Sequence, residues 1–218
     1  LDLPDAARLV TTRARLMQSA PTGGTMIAIQ ATEDELREHL TDTVSIAALN
    51  AADSTVISGD PHTAQHIAEH FKNLGRKTRT LTVSHAFHSP HMDPILDAFH
   101  AEATHLTYHQ PHIPLVSNLT GQLTTQPTTP DYWTQHIRQT VRFTDTLHTL
   151  ADQGVTTFVE LGPDPILTAL THTTLDTTPD AENPLAISAL RKNHPETHTT
   201  TTTLATLHTH GHPVTWPT

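Results

Sequence analysis

The chain has 218 residues, 35% of them hydrophobic, which is enough for one substantial core or a main body with a smaller appended unit. Its formal charge is −10 with histidine neutral, and no stripe of lysine and arginine is present to neutralise a run of phosphates, so nucleic acid is excluded as an expected partner. The absence of cysteine removes disulfides, thiolate metal sites and a cysteine nucleophile, and no apolar run approaches the ~20 residues of a membrane helix, so the expected setting is the cytoplasm, away from membranes.

The opening Leu1-Asp2-Leu3-Pro4 has neither a starting Met nor a leader pattern, and the chain reads as a piece of something longer. Apolar residues at helical spacing predict a helix over 3–17, with Asp5 near its start and Arg13 and Arg15 near its end, where charges complement the helix dipole. After Pro21-Thr22-Gly23-Gly24 come an expected strand at 25–30, a helix at 33–40, a strand at 44–49, a turn over 50–53, a strand at 55–58, a helix at 61–74 and a strand at 79–83. The order βαββαβ is that of a ferredoxin-like unit. Further on, the pattern predicts a helix over 90–105, a short strand at 115–118, and two helices within 132–154 that break near Val141. A strand at 157–161 ends at Gly162-Pro163 and leads to a helix over 165–172, a strand at 185–190 and a threonine-rich helix at 196–210. Threonine and histidine are abundant throughout, peaking at 199–203 and recurring at 171–178, as expected of solvated surface.

The densest cluster of chemistry-bearing residues is His85-Ala86-Phe87-His88-Ser89-Pro90-His91-Met92, between an expected strand and helix, where loops commonly display functional groups. Histidine titrates near ~6.5 and can take and return a proton at neutral pH, which makes His88 the candidate general base.

This cluster, followed by Met92-Asp93-Pro94, resembles the HAFHS signature of malonyl-loading acyltransferase domains of modular polyketide synthases. Other elements resemble the same family in order and spacing across the chain: Arg13-Ala14-Arg15-Leu16-Met17, Ala48-Leu49-Asn50 with Val56-Ile57-Ser58-Gly59 (without the usual proline), Tyr132-Trp133, His136-Ile137-Arg138, Val141-Arg142-Phe143 and Glu160-Leu161-Gly162-Pro163. The resemblance implies an α/β fold, with a partial hydrolase-like parallel-sheet acyltransferase body and an inserted ferredoxin-like βαββαβ subdomain. The implied division is 1–24 as a body helix, 25–83 as the subdomain, 84–190 as the C-terminal part of the body and 191–218 as a final helix and exit linker.

By resemblance His88 is the catalytic base, and Arg13 holds the free carboxylate of a malonyl group, a planar anion that a guanidinium grips through two charge-assisted hydrogen bonds. His85 and Phe87 are implied to line the acyl site. Methylmalonyl enzymes usually show YASH where this chain shows HAFH, and a phenyl ring at position 87 would crowd an α-methyl. The backbone carbonyl at His136 is implied to accept the His88 ring N–H, and Asn50 either supports the site or closes the hairpin. The family passes an acyl group from malonyl-CoA through a serine in a G-H-S-x-G elbow to the phosphopantetheine thiol of an acyl carrier protein, beside neighbouring synthase domains on the ketosynthase side, with no bound cofactor or metal. None of the eight glycines flanks a serine in that pattern. The elbow is expected upstream of Leu1, and this chain alone is expected to be inactive, with apolar faces of the 3–17 helix and of the strand around Val159 exposed.

Two other readings are open from residues alone. His85, His88 and His91, or His208, His210 and His212, could bind zinc or copper, although the i, i+3, i+6 spacing around Pro90 need not place three rings on one face and the tail cluster is expected to be disordered. Alternatively the chain is a non-catalytic docking module for a carrier protein, with Arg76-Lys77-Thr78-Arg79 as its basic patch.

Overall fold

A computed structural model describes residues 1–176 and 184–216. Residues 177–183, including the end of the threonine-rich 171–178 stretch, and the last two residues of the exit segment lie outside the described residues. The described chain divides into two compact units, Leu1–Thr149 and Leu150–Thr218.

In the first unit, α1 (Leu3–Gln18) starts where the Asp2 side chain accepts the Asp5 N–H at 3.0 Å, and Arg15 closes its last turn. The strands β1 (Thr25–Ile29), β2 (Val44–Ala51), β3 (Ser54–Gly59) and β4 (Thr78–Thr80) follow, with helices α2 (Glu33–Arg37) and α3 (Pro61–Asn73) between them. The sheet order is β4-β1-β3-β2, antiparallel throughout, as a ferredoxin-like unit requires. Alternation along the strands sends Ile27, Ile29, Ile46 and Ile57 to one face, where they pack with Leu36, Ile67 and Phe71 of the two helices. Met26, Ala47 and Val56 form a second buried cluster, joined by Leu81 and Phe87.

Helix α2 is held by a capping box: Glu35 N–H donates to the Thr32 hydroxyl at 3.2 Å and Thr32 N–H to the Glu35 carboxylate at 2.8 Å. It ends at Arg37 rather than Leu40, while Leu40 still packs against the same core. The expected turn over 50–53 is shorter in the structure, because β2 runs to Ala51. Asn50 is the extra residue of a bulge between the pairs Leu49–Thr55 and Ala51–Ser54. Strand β4 stops at Thr80 instead of Val83: Leu81 N–H still reaches the Met26 carbonyl at 2.9 Å, but β1 begins at Thr25 and offers little further backbone to pair with.

At the end of β3 the backbone passes so close to Thr43 that a Cβ on Gly59 (φ 149°) would stand 2.0 Å from the Thr43 carbonyl oxygen. Gly59→Ala is therefore expected to destabilise the protein by about 2 kcal/mol or more, because backbone rather than a flexible side-chain tip would have to move. Chemical denaturation of wild type and variant reads this directly; equal midpoints would contradict it.

Beyond β4, a 3-10 turn at Pro90–Met92 leads into α4 (Asp93–Thr104), then the hairpin β5 (Val116–Ser117) and β6 (Gln122–Leu123), then α5 (Pro130–Arg138). The break expected near Val141 is itself a strand. β7 (Val141–Arg142) adds to the sheet parallel to β2, pairing Val141 with Ala48 and Arg142 with Leu49, before α6 (Phe143–Asp152) begins. Thr140 fastens this junction by donating its hydroxyl to the Ile46 carbonyl at 2.7 Å. Buried Leu9, Met92, Ile95, Phe99 and Ile137 form the core shared by α1, α4 and α5.

In the second unit, β8 (Thr157–Glu160) pairs parallel with β9 (Leu185–Ser188), with α7 (Ile166–Leu175) between them and α8 (Glu196–Thr209) after them. Glu160 caps α7 by accepting from the backbone N–H groups of Ile166, Leu167 and Thr168 at 2.7–3.2 Å. Helix α8 forms despite its threonines because their hydroxyls donate back to carbonyls four residues earlier, as Thr201 does to Thr197 and Thr202 to His198, both at 2.8 Å. Apolar side chains do stand in solvent: Leu3 and Val10 of α1 are 82% and 64% exposed, and Leu161 after β8 is 87% exposed, with Val159 at 40%.

Candidate active site

The loop between β4 and the 3-10 turn is tied by its own polar groups. Ser89, fully buried, donates its hydroxyl to the Ala86 carbonyl at 2.6 Å and accepts the His91 N–H at 3.2 Å, while Phe87 N–H donates to the His85 carbonyl at 3.1 Å. The loop seats against the turn after α1, where a Cβ on Gly24 would come within 2.5 Å of the Ala86 Cβ. At the crest, His88 adopts φ 57°, a left-handed conformation that costs a non-glycine residue about 1 kcal/mol or more and persists only where its surroundings enforce it.

What holds the ring is a backbone group. The His88 Nδ1 lies 2.8 Å from the carbonyl oxygen of Gln139. A carbonyl only accepts, so Nδ1 carries the proton and, in the neutral ring, Nε2 presents its lone pair. Loss of solvation pulls the His88 pKa down to about 4, the Gln139 hydrogen bond opposes that fall, and the positive charge of Arg13 adds to it. The ring is accordingly neutral at pH 7.

This corrects the expectation placed on His136. The His136 carbonyl is one of the last four of α5, which have no intrahelical partner, whereas Gln139 caps the helix in an extended conformation (φ −79°, ψ 161°) and its carbonyl is the one that meets the His88 ring. The His136 carbonyl meets Arg13 instead, 3.4 Å from Nη2, and the His136 ring Nδ1 lies 3.4 Å from Nη1 of the same guanidinium. Arg13 also reaches the Met17 sulfur at 3.4 Å. Burial lowers the Arg13 pKa, and among the described residues no carboxylate forms an ion pair with it, unlike Arg138 with Asp93 (2.6 Å) or Arg142 with Asp145 (2.6 Å) and Glu33 (3.2 Å).

The remaining residues named from sequence are placed as follows. Phe87 is half-buried, packing against the second sheet cluster and also against the α1–α4–α5 core. His85 is buried at 1% exposure, with its ring 5.9 Å from that of Phe87, its Nδ1 on the Ser84 hydroxyl at 3.0 Å and its Nε2 without a hydrogen-bond partner. Asn50 lies at the bulge in β2 rather than in the hairpin turn. Of the basic run, Arg76 is paired with Glu35 at 2.8 Å. Among the described residues no three of His, Asp and Glu are gathered to hold a metal ion. Sequence reasoning missed the Gln139 carbonyl, for which no side-chain signal exists, and the contact of the His136 ring with Arg13, whose only trace is the H-x-R element itself.

Residues 1–214 match the family described as the acyl transferase domain. The chain belongs to that family. The chain is 42% identical over 221 residues to polyketide synthase GfsA of Streptomyces halstedii, a match covering 99% of the chain and 3% of GfsA. It is likewise 42% identical to the phenolphthiocerol synthesis polyketide synthase type I Pks15/1 of Mycobacterium marinum, covering 100% of the chain and 10% of that protein. It superposes on the acyltransferase domain from the second module of the salinomycin polyketide synthase with a TM-score of 0.93 and 47% identity, over 99% of the chain and 51% of that structure. The chain thus spans a small part of the curated synthases and about half of a solved acyltransferase domain. Its relatives are modular, multifunctional transferases of polyketide synthesis, and its α/β fold is theirs. No helix among the described residues is long and apolar enough to cross a membrane.

Proposed function

We propose that this chain supplies the general base and the carboxylate clamp of an acyltransferase that moves a malonyl unit from malonyl-CoA to the phosphopantetheine thiol of an acyl carrier protein in cytoplasmic polyketide assembly. The observation that carries the reading is a half-buried Arg13 without a carboxylate partner beside a neutral His88 whose tautomer is dictated by Gln139. A guanidinium in that state offers an incoming carboxylate what the protein itself does not.

The step follows from the tautomer. His88 Nε2 takes the proton of a serine hydroxyl as its oxygen attacks the thioester carbonyl; the tetrahedral adduct collapses, the C–S bond breaks, and coenzyme A leaves with the proton returned by Nε2. In the second half the carrier thiol gives its proton to His88, its sulfur attacks the acyl ester, and serine leaves reprotonated. Gln139 holds the ring through both halves and stabilises the imidazolium that forms between them. No G-H-S-x-G motif occurs in the sequence, so the serine is proposed to come from chain preceding Leu1, and the 218 residues by themselves are proposed to load no acyl group. For the intact protein we propose the bounds 1–24, 25–83, 84–190 and 191–218, the second as the ferredoxin-like subdomain, with the carrier protein and the ketosynthase-side domains as partners.

Intact-mass measurement of acyl loading tests the reading in the encoded polypeptide that contains both this chain and its upstream neighbour. A serine-linked malonyl adduct is the expected result; a folded protein that acquires none would refute it, and malonyl on a serine of the isolated chain would refute its proposed inactivity.

Phe87 is proposed as the gate against α-branched donors. Phe87→Ser should shift the methylmalonyl to malonyl loading ratio upward by about 10–200-fold, the range one methyl group decides in an apolar pocket. Because Phe87 also packs between two clusters, the variant should melt lower as well. A lower melting temperature with an unchanged ratio would leave Phe87 as core and remove the gate.

A further inference from the structure

The His136 ring has a role that its backbone-only assignment overlooked. A guanidinium offers donors and no acceptor, so the hydrogen bond across the 3.4 Å between Nη1 and Nδ1 takes a lone pair on Nδ1, that is, a neutral His136 with its proton on Nε2. The ring is held in place by its neighbours on α5, with centroids 5.8 Å from Tyr132 and 6.4 Å from Trp133. The Tyr132 hydroxyl is itself engaged, accepting from Ser117 at 3.1 Å. The groups acting on the ring are Arg13 from α1, Tyr132 and Trp133 from its own helix, His88 from the loop and its own backbone carbonyl, which favours the protonated ring, with no carboxylate ion-paired to it among the described residues.

We propose that the His136 imidazole is a positioning residue for Arg13, holding the guanidinium in register for a carboxylated acyl group and releasing it when the ring is protonated. This rests on the reading of Arg13 as the clamp for the substrate carboxylate. Protonation turns the acceptor at Nδ1 into a donor and sets a second cation 3.4 Å from the guanidinium, so the seat is lost on both counts. Burial, and then the charge of Arg13, hold the His136 pKa below its ordinary value. The neutral, seating form consequently persists through neutral pH and is lost as pH falls through that depressed value. An acetyl donor carries no free carboxylate and does not use the clamp, whereas protonation of His88 slows both donors alike. The distinguishing quantity is therefore the ratio of malonyl to acetyl loading.

The test measures that ratio by single-turnover loading from malonyl-CoA and acetyl-CoA from about pH 8 downward as far as the protein stays folded and loads acetyl, in the serine-containing polypeptide, for wild type, His136→Asn, His136→Leu and Arg13→Gln. In wild type the ratio should fall roughly ten-fold or more toward the acid end, the scale of a lost hydrogen bond to a charged group. His136→Asn, whose amide oxygen accepts from a guanidinium and does not titrate, should keep the neutral ratio and lose its pH dependence. His136→Leu should show the low ratio at every pH through a raised KM for malonyl-CoA. A wild-type ratio that stays level or rises toward acid, or a folded His136→Leu with the wild-type ratio, overturns the proposal. If Arg13→Gln abolishes the preference while His136→Leu retains it, only the role of His136 falls. If Arg13→Gln also retains it, the clamp reading falls too.

Discussion

Replacing His88 with alanine is expected to slow acyl loading by about 10²–10⁴-fold in the serine-containing protein, the range that a positioned general base contributes. The geometry makes the loss specific to chemistry. The ring is held by one hydrogen bond, to a backbone carbonyl that remains in the variant, and the loop is tied independently through Ser89 and Ala86. Alanine at φ 57° keeps the same backbone strain as histidine, so stability should change little. The pH profile carries the second half of the prediction. With a pKa held down to about 4, His88 stays in its neutral, proton-accepting form well below the usual imidazole range. Loading of a donor that does not engage Arg13 should stay level as pH falls from neutrality and decline only as pH approaches that value. The stability linkage runs the same way: the unfolded chain protonates this position below about pH 6.5 while the folded chain resists, so this group costs stability as pH falls and the cost levels off once the folded ring protonates. A variant that loads at the wild-type rate would remove His88 from the mechanism.

Arg13→Ala should have the next largest effect, raising the KM for malonyl-CoA by about 10²-fold or more, since breaking one side of a desolvated, hydrogen-bonded charge pair costs about 2–5 kcal/mol. Acetyl-CoA should lose nothing comparable, so the discrimination between the two donors collapses. Arg13→Lys should recover only part of it, because an ammonium is a point charge and cannot match a carboxylate with two parallel bonds. The variant should also not be strongly destabilised: the guanidinium is half-buried without an anionic partner among the described residues, and its contacts are a sulfur and a histidine at 3.4 Å. Titration by tight-binding kinetics with both donors checks this, and an unchanged malonyl preference in Arg13→Ala would refute the clamp.

Much of the fold was legible because short-range rules govern it. Helix starts at Asp2, Thr32 and Asp60 carry side-chain caps, and alternating isoleucines mark the strands of the ferredoxin-like unit. Departures occur where pairing partners decide the outcome. β4 stops where β1 runs out, Asn50 becomes a bulge rather than a turn, and the break near Val141 becomes a fifth strand because β2 has a free edge to receive it. Two residues cannot announce themselves as a strand by periodicity; only a neighbouring edge makes them one.

By itself the sequence determined the family, through motifs spread in order along the chain, and it singled out a loop histidine and, through the resemblance, one of the three arginines of the first helix as the groups able to handle a proton and a carboxylate. The tertiary structure alone decided that Gln139 rather than His136 holds the base, because that depends on where α5 ends and on what each carbonyl at that end meets: His88 at Gln139, Arg13 at His136. It also decided that the ring of His136 turns to Arg13, 123 residues away in the chain. Backbone carbonyls carry no side-chain signature, and a contact across that separation is set by how α1 and α5 pack on one core, which no local pattern encodes.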